Sequence, residues 1–328
     1  MEIGHGLTPP AWGEDPVYAA IGNFDGLHRG HRVLLRRLVR DARSAGARTL
    51  VMTFDPHPLA VLKPDRAPLL LTSLNQRAFL LRSVGIDRLQ VIPFDSAFAA
   101  IAAEDFIRRI LVDKFGVRCV FVGAFFAFGR GGRGTPELIQ KLAPQTGCRA
   151  VVVDPVPGDD GGGAVSSTVV RRLVTAGRVE DAHRAMTVPL VLAGRVTRGE
   201  GRGRTIGFPT ANLELPPGRV IPGHGVYAVW CCSGGRVHAG VANIGIRPTF
   251  GGLSGPNLEV HLLDWSGDLY GQELRVAFMH RLRGEQSFAS VEALVAQIKC
   301  DIGQARRLLA AAAVDRGYLC LPNQTQRA

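Results

Sequence analysis

The sequence predicts an α/β doubly wound domain followed by a small antiparallel β-barrel domain with a C-terminal helix. Three observations carry that expectation. In the first half, apolar runs of strand length alternate with helically periodic segments, the pattern of parallel β-α-β units. Around residues 184–190 the rhythm changes to short strands separated by glycine turns, the pattern of a small barrel. The length of 328 residues suits two domains of about 150 residues each. The expected division is 1–184 and 185–328.

The elements follow in order. Residues 1–16, with paired prolines, read as a leader. The apolar run Val17 to Phe24 is a strand that stops at Asp25-Gly26. Leu34, Leu35, Leu38 and Ala42 recur at helical spacing within Val33 to Ala45. Thr49 to Phe54 is a second strand, broken by Pro56 and Pro58. Gln76 to Val84 reads as helix and Leu89 to Pro93 as strand. Ala103 to Phe115 is helical, Arg118 to Gly123 a buried strand and Val151 to Val153 another. Gly161 to Gly163 reads as a mobile loop, and Ser166 to Arg172 opens a helix. Beyond Pro189 come Leu190–Val196, Gly225–Cys232, Val237–Ile244, Leu258–Asp264 and Leu274–His280, two of them joined by a Ser233-Gly234-Gly235-Arg236 hairpin. A final helix carries Val291, Leu294, Val295, Ile298, Ile302, Ala305 and Leu308 as one apolar stripe, expected to be core. From Asp315 the chain reads as a loose tail.

Composition narrows the function. At 46% hydrophobic and 20% charged, the chain is not disordered. It lacks a run of about 18 apolar residues, so no membrane span is expected, and no secretory leader is visible. Six cysteines without CxxC spacing argue against zinc and against a disulfide framework, which points to a reducing cytoplasm. The net charge of +11 invites a polyanion. It divides evenly, +6 in residues 1–184 and +5 in 185–328, and 35 of the 39 basic residues are Arg. No basic tail marks a nucleic-acid face, so a non-catalytic nucleic-acid-binding protein stays a rival only, and phosphorylated small molecules are the better fit.

Two constellations carry chemistry. Gly22-Asn23-Phe24-Asp25-Gly26-Leu27-His28-Arg29-Gly30-His31 lies between the first strand and first helix, where parallel sheets bind ligands. Gly30 permits close approach to a phosphate, and the helix start behind it favours anions. His28 and His31 can donate to phosphate oxygens as charge builds in a transition state; two surface histidines in a loop are the plain alternative. In the second half, Arg198 to Asn212 is glycine-rich without being a Walker loop or a dinucleotide fingerprint. Gly201, Gly203 and Gly207 let backbone amides approach phosphates, with Pro209 closing the run. Thr210 and Asn212 offer neutral oxygens to a Mg2+–ATP complex. Standing alone, the run would read as a surface loop.

These segments resemble one family. The decamer from Gly22 resembles the HxGH signature of nucleotidylyltransferases and, more closely, the N-terminal module of bacterial bifunctional riboflavin kinase/FAD synthetases. Phe54-Asp55-Pro56-His57-Pro58, Ala103-Glu104-Asp105-Phe106 and Ser166-Ser167-Thr168 with Arg171 are similar to its further motifs. Gly207 to Asn212 resembles the GxPTAN motif of riboflavin kinases, continued by Gly225-Val226-Tyr227, Asn243 to Thr249 and Gly267 to Gly271. The resemblance runs from about Val17 to Arg307. It implies that Ser166, Ser167, Thr168 and Arg171 hold a triphosphate, which hydroxyls and a guanidinium at a helix start can do. It also implies that Glu259 is the base that activates the ribityl hydroxyl. Strand alternation places Glu259 with His261 and Leu263; His261 and His280 read as structural.

The resemblance therefore implies two reactions: riboflavin and ATP to FMN and ADP in the C-terminal domain, then FMN and ATP to FAD and pyrophosphate in the N-terminal one. Two departures stand out. Val122 to Gly129 reads VGAFFAFG, with Ala124, Phe125 and Ala127 where the family carries polar groups, so a kinase with an impaired adenylyltransferase domain is the nearer rival. Met186 to Leu190 replaces the family's usual LGRPY at the junction.

Overall fold

Val17–Ile21, buried at every position, forms a central strand of the computed structural model, which describes residues 1–159, 163–199, 201–246 and 256–322. Gly161 and Gly162 of the expected loop, Glu200 of the glycine-rich run, and Arg247, Pro248 and Thr249 lie outside the described residues, as do 323–328. Packing divides the chain into two units, Met1–Pro68 with Gln76–Ser166 and Leu69–Asn75 with Ser167–Ala328.

The first unit holds β1 (Glu2–His5), β2 (Val17–Ile21), β3 (Arg48–Asp55), β4 (Arg88–Pro93), β5 (Val117–Gly123) and β6 (Arg149–Val153). All pair in parallel, in the order β1-β4-β3-β2-β5-β6. The helix Arg29–Ser44 buries Leu34, Leu35, Leu38, Val39 and Ala42, the face its spacing predicts. Phe106–Val112 is a wider, π-type turn in which Asp113 N–H reaches back to Arg108 O. Val17, Ala19 and Ile21 share a core with Phe106, Ile110, Val120 and Ile139.

The expected leader is corrected at Glu2–His5, which adds an edge strand to β4. An edge strand needs backbone pairing but little burial, and Ile3 is exposed, so no apolar alternation announces it. Arg88 secures it, donating to Glu2 and to the Thr8 carbonyl.

The second unit is a closed barrel of β7 (Leu190–Thr197), β8 (Ala211–Glu214), β9 (Gly225–Ser233), β10 (Arg236–Ile246), β11 (Pro256–Leu262) and β12 (Glu273–Arg283), ordered β10-β11-β8-β7-β12-β9 and antiparallel throughout. The helices Ser167–Thr175 and Val179–Met186 both begin between the packing boundary at 166 and the expected one at 184, and the second runs across it. Glu180 accepts from the Arg281 backbone N–H of β12 at 2.9 Å. Leu69–Asn75 joins this unit because Leu70 N–H donates to Gly218 O and Arg219 donates to Leu71 O.

Three further expectations change here. The stripe on the helix Val291–Ala310 is only partly core. Ala305 is buried, but Leu294, Ile298 and Ile302 face a cavity and Val291 is exposed. The loose tail contains a short helix, Arg316–Leu319, whose Tyr318 and Leu319 are buried; Trp230 also donates to the Ala312 carbonyl. Finally, Cys232 of β9 and Cys320 form a disulfide. The two are 88 residues apart and share no spacing motif, so only the docking of the final helix brings them together.

Candidate active sites

In the first unit the loop after β2 gathers one set of predicted residues. Phe24 takes a left-handed turn (φ 48°) that carries the chain into Asp25–Leu27, and His28 caps the helix Arg29–Ser44. His31 N–H donates to His28 Nδ1 at 3.4 Å, so neutral His28 carries its proton on Nε2. The two imidazoles stack at 3.7 Å. A Cβ on Gly30 would meet the His28 ring at 3.2 Å and the Val165 carbonyl at 3.6 Å, so the absence of a side chain there keeps the pair in place.

His31 Nδ1 is enclosed without a protein partner among the described residues. Burial, then the neighbouring His28, then the charge of Arg77 hold its pKa well below the usual imidazole value. His31 is thus neutral near pH 7.

Asn23 meets His57 Nε2 at 2.9 Å, while His57 Nδ1 accepts from Leu59 N–H. The Phe-Asp-Pro-His-Pro segment therefore braces the loop that carries Asn23. Arg77, on the helix Leu74–Val84, escaped the sequence reading altogether; it is 5% exposed and donates to Thr53 at 2.9 Å. A helical Arg among apolar residues reads as a solvated face, and only the fold turns it inward. Ser166 closes the first unit, whereas Ser167, Thr168 and Arg171 start a helix of the second, where Arg171 donates to the Leu69 carbonyl.

The departures after β5 leave the core intact. Phe126 and Phe128 stack at 5.6 Å, and Gly129 packs against Ala103, where a Cβ would lie 2.7 Å from Cα. This gives the Ala103 to Phe106 motif a packing role. Ala124, Phe125 and Ala127 are all on the surface, and Phe125 is 91% exposed.

In the second unit three strands align the polar groups. Glu259 of β11 stands opposite Asn212 of β8 on one side and Asn243 of β10 on the other, and directly opposed side chains share a face. Glu259 accepts from Asn257 at 2.9 Å. It lines a cavity of about 440 Å³ together with Gly203, Thr210, His261, Phe288 and the helix residues Leu294, Ile298 and Ile302. Arg283 Nε donates to both carboxylate oxygens of the buried Asp301, at 3.0 and 3.2 Å, and ties β12 to this helical wall. His261 also lines the cavity, and its ring donates to the Pro209 carbonyl at 2.8 Å. His280 lies beside Glu180, its Nδ1 3.6 Å from the carboxylate.

Thr210 also lines a second cavity, about 500 Å³, with Pro209, Arg204 and the Trp265 to Tyr270 turn. The glycine-rich run is wrapped around a short turn, Arg202–Thr205. Gly201 (φ 73°) and Gly207 (φ 87°) take left-handed conformations at its two ends. Gly199 and Gly203 are needed for space, since a Cβ would come within 2.2 Å of the Asn212 amide and 2.4 Å of the Phe208 carbonyl. The apolar wall could have been found in the sequence as the helix stripe; Asn243 was visible only within a longer motif.

Comparison with known proteins agrees with this division. The FAD synthetase family model matches residues 12–169 and the riboflavin kinase model residues 186–309. The bifunctional riboflavin kinase/FMN adenylyltransferase of Escherichia coli (strain K12) is 42% identical over 86% of this chain and 89% of its own. That of Pseudomonas fluorescens is 40% identical over 94% and 97%. A solved structure titled as a macrolide-efflux protein from Streptococcus pneumoniae superposes with a TM-score of 0.81 at 31% identity, covering 89% of this chain and 94% of that one. Among the described residues no helix is long and apolar enough to cross a membrane. The chain belongs to the bifunctional riboflavin kinase/FMN adenylyltransferase family and carries both activities, with the adenylyltransferase N-terminal and the kinase C-terminal.

Proposed function

We propose that Glu259 is the base of the kinase reaction, supported above all by its place between Asn212 and Asn243 on the sheet and, with Asn243, on the lining of an apolar-walled cavity. Riboflavin's ring packs on Leu294, Ile298, Ile302 and Phe288 and presents its terminal ribityl hydroxyl to Glu259. The carboxylate takes the hydroxyl proton as that oxygen bonds the γ-phosphorus of ATP and ADP leaves. Thr210, shared by both cavities, and Asn212 are neutral oxygen donors, which fits a Mg2+ ion already charge-matched by the nucleotide's phosphates. When bound, the ion neutralises charge on the transferring phosphoryl group. Gly201, Gly203, Gly207 and Pro209 shape the loop around the phosphates.

The N-terminal reaction needs no strong base, because the FMN phosphate is already ionised. One of its oxygens attacks the α-phosphorus of a second ATP and pyrophosphate departs. His28 and His31 donate to the developing charge, while Gly22, Asn23, Phe24, Asp25 and Gly30 form the cradle. Ser166, Ser167, Thr168 and Arg171 hold the triphosphate. We assign residues 1–184 and 185–328 to the two reactions. We place the enzyme in the cytoplasm, the compartment that supplies ATP to both steps. Glu259→Gln should lower riboflavin phosphorylation about 10²- to 10⁴-fold and leave FAD formation from supplied FMN intact; loss of both activities would refute the assignment.

A further inference from the structure

A guanidinium taken out of water is costly unless other groups meet it. Arg77 is such a group, almost fully buried on the helix Leu74–Val84. Its Nη1 donates to Thr53 Oγ1 at 2.9 Å, and Thr53, itself fully buried on β3, donates to the Asn23 backbone carbonyl at 3.2 Å. One hydroxyl therefore links the cation to the loop after β2. The Arg77 Nε has no hydrogen-bond partner among the described residues. Burial disfavours the charged guanidinium, and Asp25 of the loop and Asp55 at the end of β3 oppose that effect. On the helix Arg29–Ser44, His31 lies within reach of the same charge, with His28 stacked on it.

We propose that Arg77 is a positioning residue of the adenylyl-transfer site: it fixes the Asn23 loop through Thr53 and sets a buried positive charge beside the His28–His31 pair. The proposal rests on reading those histidines as the site of FAD formation. Arg77 then has two effects. It keeps the loop carbonyl in place, so the cradle does not shift when phosphates enter. It also acts in the same direction as burial and His28 in disfavouring protonated His31 in the free enzyme. A triphosphate offsets that positive field, so the charge on the imidazole follows the arrival of substrate.

The test uses the full chain and compares wild type, Arg77→Met, Arg77→Lys and His31→Gln. FAD formation from FMN and Mg-ATP is measured beside riboflavin phosphorylation, and the His31 ring proton is titrated by NMR, identified by its loss in His31→Gln. Arg77→Met should move the His31 titration to higher pH and lower kcat/KM for FAD formation by about tenfold or more, with riboflavin phosphorylation within about twofold of wild type. Arg77→Lys, which keeps the charge, should bring the titration back towards wild type. A His31 titration that does not move in Arg77→Met overturns the proposal. If Arg77→Met fails to fold its first unit, Arg77→Lys decides: a wild-type-like titration supports the role, and a shift to that of a free histidine overturns it. Full FAD formation by His31→Gln instead refutes the site itself.

Discussion

Gly199→Ala tests whether the kinase depends on the placement of Asn212 beside Glu259. No left-handed backbone is required at Gly199, so alanine adds only a methyl group. That methyl would lie 2.2 Å from Asn212 Nδ2 and 2.6 Å from Cγ, against the ~3.4 Å of ordinary contact. The amide must therefore move by about 1 Å, and a misplacement of that size at a reacting centre costs on the order of 10²-fold. Overpacking should also cost about 1–3 kcal/mol of stability in the second unit. The assay is riboflavin phosphorylation by the variant, with FAD formation from FMN measured on the same preparation. Only the first should fall. Adding Asn212→Ala to Gly199→Ala relieves the clash, so stability should recover while phosphorylation stays low. Unchanged phosphorylation by Gly199→Ala would refute the argument that Asn212 is held in register with Glu259 for catalysis.

The remaining outcomes follow from individual groups. His31 has a depressed pKa in the folded chain, so between that value and about 6.5 the unfolded chain binds the extra proton and stability rises with pH. Thermal midpoints should thus fall on acidification below about 6.5, and His31→Gln should flatten the slope; an identical slope would contradict the burial of His31. Arg283→Met leaves Asp301 as a buried unpaired carboxylate and should cost about 3–5 kcal/mol, read by denaturant unfolding of the second unit. Ile298→Ala removes part of the apolar wall and should raise KM for riboflavin about tenfold with KM for ATP unchanged; the opposite pattern would place the flavin elsewhere. Gly30→Ala pushes on the His28 ring and should lower FAD formation while sparing phosphorylation.

Much of the fold was legible because its central elements obey periodicity. The unbroken apolar strand Val17–Ile21 and the Leu34–Ala42 face were plain, and so were the short barrel strands with their glycine turns. What escaped depends on pairing or docking rather than on pattern. Glu2–His5 is held by backbone bonds at an exposed edge, and Cys320 meets Cys232 beside the buried Tyr318 and Leu319. The site divides in the same way. His28 and Gly30 stand in a recognisable segment and Glu259 follows only from the family resemblance, while Arg77 and Asn243 are placed by a helix that turns inward and a strand register. The stripe at Leu294, Ile298 and Ile302 lines a cavity instead of closing wholly into core, because periodicity reports an apolar face without saying what lies against it.

The central claim is that two separate sites act in sequence on flavin, and the product mixture from riboflavin and Mg-ATP tests it most directly. Wild type should yield FMN and then FAD. Glu259→Gln should yield neither from riboflavin yet convert supplied FMN to FAD, and His28→Ala with His31→Ala should stop at FMN. A wild-type mixture that never passes beyond FMN at saturating ATP, or variants that lose both activities together, would contradict it.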